Sequence, residues 1–276
     1  MVVRPKDDRI DLRYLEYIFR GGIDITLAIT GAAQPQITRA NLEPLSIRFP
    51  SSLEEQQRIV AMLDEAFAAI ATATANAQKN LTNARVLFES CLQSVFERPK
   101  EGWTERPFES CLAPVKYTAK IQRKDFRNAG RFPIISQESD FINGRWDNES
   151  DVFRVSKPLI IFGDHTQILK YVDFDFVLGA DGVKLLLPTK DLTAKFLMYF
   201  LKAHPMKSIG YARHFRLLKD LTVVIPPLPE QESINDMLDE MSDRIDELCG
   251  TYRTKLDSLA ELKQSLLQKA FAGELT

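Results

Sequence analysis

Six cations crowd residues 116–131: Lys116, Lys120, Arg123, Lys124, Arg127 and Arg131. Their spacing follows neither a strand nor a helix period, so they suit a loop. Cations placed this way neutralise phosphates, and each neutralised phosphate adds to the salt dependence of nucleic-acid binding. A solvated surface loop is the plainer alternative. Two side chains nearby have the chemistry of base reading. Gln137, in Ser136-Gln137-Glu138, can pair bidentately with adenine, and Arg145 can pair with guanine. Asn143-Gly144 reads as a turn presenting Arg145 and Trp146, the latter equally suited to packing. A second polar-basic cluster, Lys207, Tyr211, Arg213, His214 and Arg216, surrounds Gly210 just before a short apolar strand. It forms a second candidate DNA-facing loop, in which phosphate contacts should outnumber base contacts.

Catalytic signatures are missing. The sequence has no Gly-rich cofactor turn paired with an Asn/Asp-Pro-Pro-aromatic motif, and no Gly-x-x-x-x-Gly-Lys-Ser/Thr loop. Asp164-His165, in a chain with 3 histidines and no spaced ligand partners, reads as a strand-end turn rather than a metal or acid–base site. Cys91, Cys111 and Cys249 are scattered and form no Cys-x-x-Cys pair, which suits core thiols in a reducing compartment. The expectation is a protein without catalytic residues, metal or cofactor of its own.

Net charge is −2 over 276 residues, but it is unevenly spread. Trp103 to Ile225 carries 19 Lys/Arg against 14 Asp/Glu, a net of +5, leaving −7 for the remainder. A basic insert on acidic flanks fits an insert that meets polyanion. Met1 to Asp8 is polar rather than signal-like, and no apolar run approaches the ~20 residues of a membrane span. A cytoplasmic protein without membrane contact is expected.

The elements that position these residues are announced by a repeat. Glu55-Gln56 and Met62-Leu63-Asp64-Glu65 return 175 positions later as Glu230-Gln231 and Met237-Leu238-Asp239-Glu240. Ser90 to Phe96 is echoed by Ser265 to Phe271, and Leu45 to Pro50 by Leu221 to Pro226, now 176 apart. Upstream of each copy lies a short amphipathic helix, Leu12 to Phe19 and Ala194 to Leu201, ended by Gly21-Gly22 and by His204-Pro205. Short β-rich runs follow, Leu45 to Phe49 and Leu221 to Ile225. Long helices are then expected from about Leu53 to Phe96 and about Pro229 to Phe271, with Ser52 and Glu55 forming a capping box.

In the second helix Leu238, Met241, Ile245, Leu248, Tyr252, Leu256, Leu259, Leu262, Leu266 and Ala270 recur at spacings of three and four. The first helix offers Leu63, Ile70, Ala77 and Ala84 at matching positions, small where the second is large. Antiparallel pairing should place Ala77 against Tyr252 and Ala84 against Ile245. Within the insert Phe126, Phe132, Phe141, Phe153, Phe162, Phe174 and Phe176 read as core. Val172 to Leu178 reads as a strand, and Asp181-Gly182 as a hairpin turn before Val183 to Leu187.

These residues resemble the DNA-specificity subunit of type I restriction-modification systems. The resemblance rests on Pro226-Pro227-Leu228-Pro229-Glu230-Gln231, its weaker copy Pro50 to Gln56, the closing stretch Gln264 to Thr276, and Phe132 to Gln137 with Ile160 to Thr166 in the insert. It covers nearly the whole chain from Leu12. It implies an α+β fold with one mixed α/β target-recognition domain (99–226) and two long antiparallel helices (51–98 and 227–276) forming a coiled-coil spacer. Residues 1–50 would be the C-terminal remnant of a first recognition domain. The implied partners are double-stranded DNA, methyltransferase subunits that bind S-adenosylmethionine, and through them the restriction subunit. A second copy or a complementing fragment would supply the other reader. The alternative is a scaffold that docks partners without specific DNA binding.

Overall fold

The computed structural model describes residues 3–6, 8–30, 36–207, 210 and 212–275. In chain order these form α1 (Leu12–Tyr17), β1 (Ile29–Thr30), β2 (Gln36–Ile37), α2 (Arg39–Leu42) and the long α3 (Leu53–Glu97). The insert follows with β3 (Thr104–Pro107), β4 (Leu112–Ala113), β5 (Lys120–Ile121), β6 (Phe132–Ile135), β7 (Gly144–Trp146) and β8 (Val152–Phe153). It continues through β9 (Leu159–Gly163), β10 (Leu169–Val172), β11 (Phe176–Gly179), β12 (Val183–Pro188), α4 (Ala194–Ala203), α5 (Phe215–Leu218) and β13 (Thr222–Ile225). The second long helix, α6 (Leu228–Ala272), closes the chain. Two compact units result, one of residues 1–85 with 246–276 and one of residues 86–245.

In the first unit α1 packs on the start of α3 and the end of α6. Tyr14, Tyr17 and Ile18 share one apolar cluster with Ile59, Leu63, Leu267 and Ala270. Tyr14 meets Phe271 edge-on, and Lys263 lies over the Phe67 ring at 5.3 Å. In the second unit the end of α3 (Leu92, Phe96) shares a cluster with the start of α6 (Ile234, Leu238). The two helices therefore run antiparallel within each unit. Ser52 Oγ accepts the Glu55 N–H, but the Glu55 carboxylate turns to Arg58, so only half of the capping box forms.

The two repeat copies build the same polar lock. Gln56 is fully buried; its Oε1 accepts the Asp11 N–H at 2.7 Å, while its Nε2 donates to the carbonyls of Arg9 and Pro50. Gln231, equally buried, accepts the Thr193 N–H at 2.8 Å and donates to the carbonyls of Asp191 and Pro226. Asp11 and Thr193 cap the helices that follow them, α1 and α4. About two turns further along each long helix an aspartate takes a tyrosine hydroxyl and a cation. Asp64 binds Tyr17 and Arg13, and Asp239 binds Tyr199 and Lys195. Asp64 is held below the usual carboxylate range by the Tyr17 hydroxyl and then by Arg13. Burial and Asp239 push Tyr199 well above the normal phenol range.

The second unit is layered. β9 sits in the sheet β10-β9-β12-β4, antiparallel throughout, and is buried along its whole length. Ile160 and Phe162 face α4, packing with Phe196 and Phe200. Leu159 and Ile161 face the second sheet, β5-β11-β6-β7, through Phe176 and Leu178. That sheet's far side carries Ile134, Val152 and Val177 under Phe126, Phe132 and Trp146.

Several expectations need correction. Leu45 to Phe49 forms no strand, whereas Thr222–Ile225 does, because β13 pairs with β3 and the first copy has no such partner among the described residues. Val172 to Leu178 is broken at Asp173–Asp175, dividing β10 from β11. Asp181-Gly182 joins strands of different sheets instead of closing a hairpin. Phe141 and Phe174 are exposed (44% and 37%) and lean on each other, 6.1 Å apart. On α6, Leu248 and Leu262 are exposed while neighbouring Cys249 is buried, as expected when a 3.6-residue helix drifts from a 3.5-residue pattern. By length and composition alone, α3 contains a window apolar enough to cross a membrane, contrary to expectation. Much of that apolarity is alanine.

Gln231→Ala should lower the unfolding free energy by about 3 kcal/mol, since one N–H and two carbonyls lose their partner together. Urea denaturation measures this. A loss under about 1 kcal/mol would mean that water takes over the three bonds.

Candidate nucleic-acid interface

The site arises from strand direction. β5 and β6 both lie parallel to β11, so the loops leaving the three strands emerge at one end of the sheet. These are 122–125, 136–138 and 180–182. Two more segments are tied to them. The Asp164 N–H donates to Gly182 O at 2.7 Å, and His165 Nδ1–H donates to Ala212 O at 3.2 Å. The Ala180 N–H donates to Ile121 O, also at 2.7 Å. Residues far apart in sequence thus share one edge: Arg123, Lys124, Gln137, His165 and Arg213.

Beneath this edge the loop after β6 is held by a buried amine. Lys170, on β10 and only 4% exposed, donates Nζ–H to the carbonyls of Asp140 and Phe141 and to Asn143 Oδ1. Asn143 Oδ1 also accepts from Ser136 N and Oγ, at 2.8 and 2.9 Å. Burial lowers the Lys170 ammonium to about 8, partly offset by Glu138 and Asp140. Asp164 is buried as well. Its carboxylate accepts the Phe215 N–H at 2.8 Å and lies 3.9 Å from Lys184 Nζ.

The candidate residues fall into groups. Arg123 pairs with Glu138 at 2.8 Å, and Lys124 is exposed. Lys120 Nζ lies over the Tyr117 ring and near Val183 O; burial, then Lys184, lowers its pKa. Gln137 is half-buried, its Oε1 taken by the His165 N–H at 3.1 Å. Arg127, Arg131 and Arg145 lie instead along the β7 edge. Arg127 covers the Trp146 ring and pairs with Asp147 at 3.6 Å, while Arg131 donates to Asp147 O. Arg145 bridges Arg127 through the backbone, and its guanidinium has no ion pair among the described residues. Trp146 is a packing residue whose Nε1–H donates to Asp151. Lys116 and Lys207 are exposed and join neither group; Arg213 and Arg216 are exposed. Tyr211 lies outside the described residues.

His214 is buried, 1% exposed, and its Nδ1–H donates to Asp164 O, so it fixes the segment rather than facing solvent. Lys184, Lys170 and His165 were not singled out from sequence as binding residues. Each is placed by a pairing with a distant segment, which no local signal announces. Among the described residues no cluster of three or more His, Cys, Asp or Glu could hold a metal ion.

Of the helix residues, Leu63, Ile70, Ala77, Ala84 and Leu238 are buried, and Ile245, Tyr252, Leu259 and Leu266 are half-buried.

A family model for the type I restriction modification DNA specificity domain matches residues 1–83 and 101–255. The specificity subunit of the Escherichia coli type I restriction enzyme EcoR124I/EcoR124II is 32% identical over 95 residues. That match covers 33% of this chain and spans only 23% of that protein. Two solved structures share the fold. A chain from a study of complex assembly and conformational transition of the type I R-M system superposes with a TM-score of 0.80 at 20% identity, covering 95% of this chain and 71% of that one. The HsdS subunit from Thermoanaerobacter tengcongensis gives 0.60 at 20% identity, over 95% and 70%.

Lys170 carries a pH prediction. Its folded pKa, about 8, lies below the ordinary 10.5. Between those values the unfolded chain binds more protons, so the unfolding free energy contributed by Lys170 rises with pH across that window. Relative to Lys170→Met, the wild type should gain on the order of 2 kcal/mol between pH 7.5 and 10. Denaturation of both proteins at each pH tests this; a difference that does not change with pH would refute it.

Proposed function

The chain belongs to the type I restriction-modification DNA specificity family, and from that premise we propose that it reads one half of a bipartite site in double-stranded DNA. Members of the family recognise DNA and are not catalysts. The observation that carries the reading is the convergence of the loops following three parallel strands, which brings Arg123, Lys124, Gln137 and Arg213 to one edge. Cations there position the duplex through its phosphates, and polar side chains between them read base edges. The net +5 of the segment supports the same polarity.

In this reading residues 99–226 form the recognition domain, and the helices of 51–98 and 227–276 form a coiled-coil spacer that docks methyltransferase subunits. Those subunits hold S-adenosylmethionine and connect to the restriction subunit. Residues 1–50 correspond to the closing part of a first recognition domain, a reading supported by the shared lock on α1 and α4. A second copy of the chain, or a complementing fragment, supplies the other reader. The setting is the cytoplasm.

Mobility shifts of the chain, alone and with its methyltransferase subunit, across a salt series test this. A duplex-specific complex is expected. Lys124→Glu and Arg213→Glu should each weaken binding to all sequences alike and reduce the log–log salt slope by about 0.9 per lost phosphate contact. Binding at only the non-specific level in both states would overturn the reading and leave a docking scaffold. An unchanged slope in both variants would remove this edge from the DNA face.

A further inference from the structure

We infer that Leu45 to Phe49 is a docking site for an added β-strand, supplied by a separate polypeptide that is acidic where it crosses Arg48. The inference stands on the internal repeat and goes beyond the reading of the chain as a half-site reader.

The second copy shows what covers such a segment. There β3 runs antiparallel to β13, with Thr104 opposite Ile225, Glu105 opposite Val224 and Arg106 opposite Val223. The residue after β3, Phe108, is fully buried, and its N–H donates to Leu221 O at 2.9 Å. Phe108 shares one apolar cluster with Leu197, Leu201, Leu218, Leu221, Val223 and Ile225. Just before β3, the Lys100 ammonium and the Trp103 indole N–H bind Glu230 at 2.8 and 3.0 Å.

The first copy has the same surface without that cover among the described residues. Counting back 182 positions for the short helix and 176 for the segment after it, the cluster becomes Leu15, Phe19, Leu42, Leu45, Ile47 and Phe49. These residues line a groove of about 270 Å³. Phe49 is 36% exposed, whereas its counterpart Ile225 is 4% exposed. Ile47, Arg48 and Phe49 make no backbone hydrogen bond to any described residue, although Gln56 anchors Pro50 as Gln231 anchors Pro226. Unpaired backbone groups beside an apolar groove are a template for strand addition. Glu55, the counterpart of Glu230, meanwhile pairs with Arg58 on the surface, a contact weak enough to exchange.

The groove also specifies the charge of its occupant. In the register of β13 with β3, the residue in the place of Glu105 falls opposite Arg48, where an acid is favoured and a cation repelled. Asp191, which binds Arg106 in the second copy, is matched by Arg9, so an acid suits that place as well. Arg4 and Lys6 add positive charge to the groove. A second copy of the chain is a poor source of the strand, because its β3 is already held by β13 and its Arg106 would meet Arg9. The occupant is therefore a different polypeptide. Its strand carries two acids, follows an aromatic N–H donor or a cation that reaches Glu55, and precedes a large apolar residue that fills the groove.

The probe is a fluorescent peptide with the sequence of residues 98–113 carrying Arg106→Glu and Cys111→Ser, titrated against the full chain. Anisotropy should show one saturable site, and hydrogen exchange should slow in residues 45–49 only when peptide is present. Arg48 is exposed, so Arg48→Glu keeps the fold. That variant should weaken binding about three- to tenfold, and a peptide with Glu105→Arg added should restore it. No saturable binding up to about 1 mM peptide, or binding indifferent to both charge reversals, overturns the inference. Self-association of the wild-type chain that Arg48→Glu abolishes also overturns it, by assigning the groove to a second copy. None of these mixtures contains DNA, so half-site reading stands or falls separately.

Discussion

A buried glutamine amide stands at the start of each long helix, and the attachment of α1 and α4 depends on it. One oxygen and two N–H bonds of a single side chain satisfy three backbone groups, drawn from the incoming segment and from the turn before the helix. A leucine of similar volume would leave all three unpaired, at about 1–3 kcal/mol each if water cannot reach them. The amide therefore selects one arrangement of the two segments, where apolar contact alone would tolerate several. The aspartate about two turns later fixes rotation about the contact through a tyrosine and a cation. The lock appears twice with different neighbours, Arg13 replaced by Lys195 and Asp11 by Thr193. The bonding pattern is what recurs, and the side chains vary around it.

Rigidity and looseness are divided within the second unit. Lys170 and Asp164 are charged groups under the surface, surrounded by hydrogen-bonding partners; they cannot move without leaving a buried charge uncompensated. Two cations of the same unit are instead paired with acids on the surface: Arg123 with Glu138, Arg127 with Asp147. Exposed pairs of this kind contribute at most about 1 kcal/mol. A phosphate can displace the carboxylate at small cost, so the loops stay ordered while their cations remain exchangeable.

The periodic features were legible in the sequence. The long helices begin and end within one residue of their expected bounds, because apolar spacing, Ser52 and Pro229 mark them directly. The repeat also marked Gln56 and Gln231, though not what they do. What stayed hidden depends on contacts distant in sequence. Gln137 looked like a free side chain, whereas its Oε1 already accepts the His165 N–H from 28 residues away. His214 looked like an exposed cation and is buried against Asp164, 50 residues away. Phe141 and Phe174 share an alternating pattern with true core residues, yet they lie at loop positions where no second layer covers them.

The segments before the two long helices show how far local sequence can decide structure here. Leu45 to Phe49 and Leu221 to Ile225 have the same apolar character and the same following proline, yet only the second supplies a strand, β13. A strand requires a neighbour to take its N–H and carbonyl groups, and β3 supplies one only to the second copy. The lock requires no such neighbour, since all its bonds lie between the helix start, the turn before it and the short helix docked there. It forms in both copies whether or not the strand does. Helix docking is thereby independent of the β13–β3 pairing.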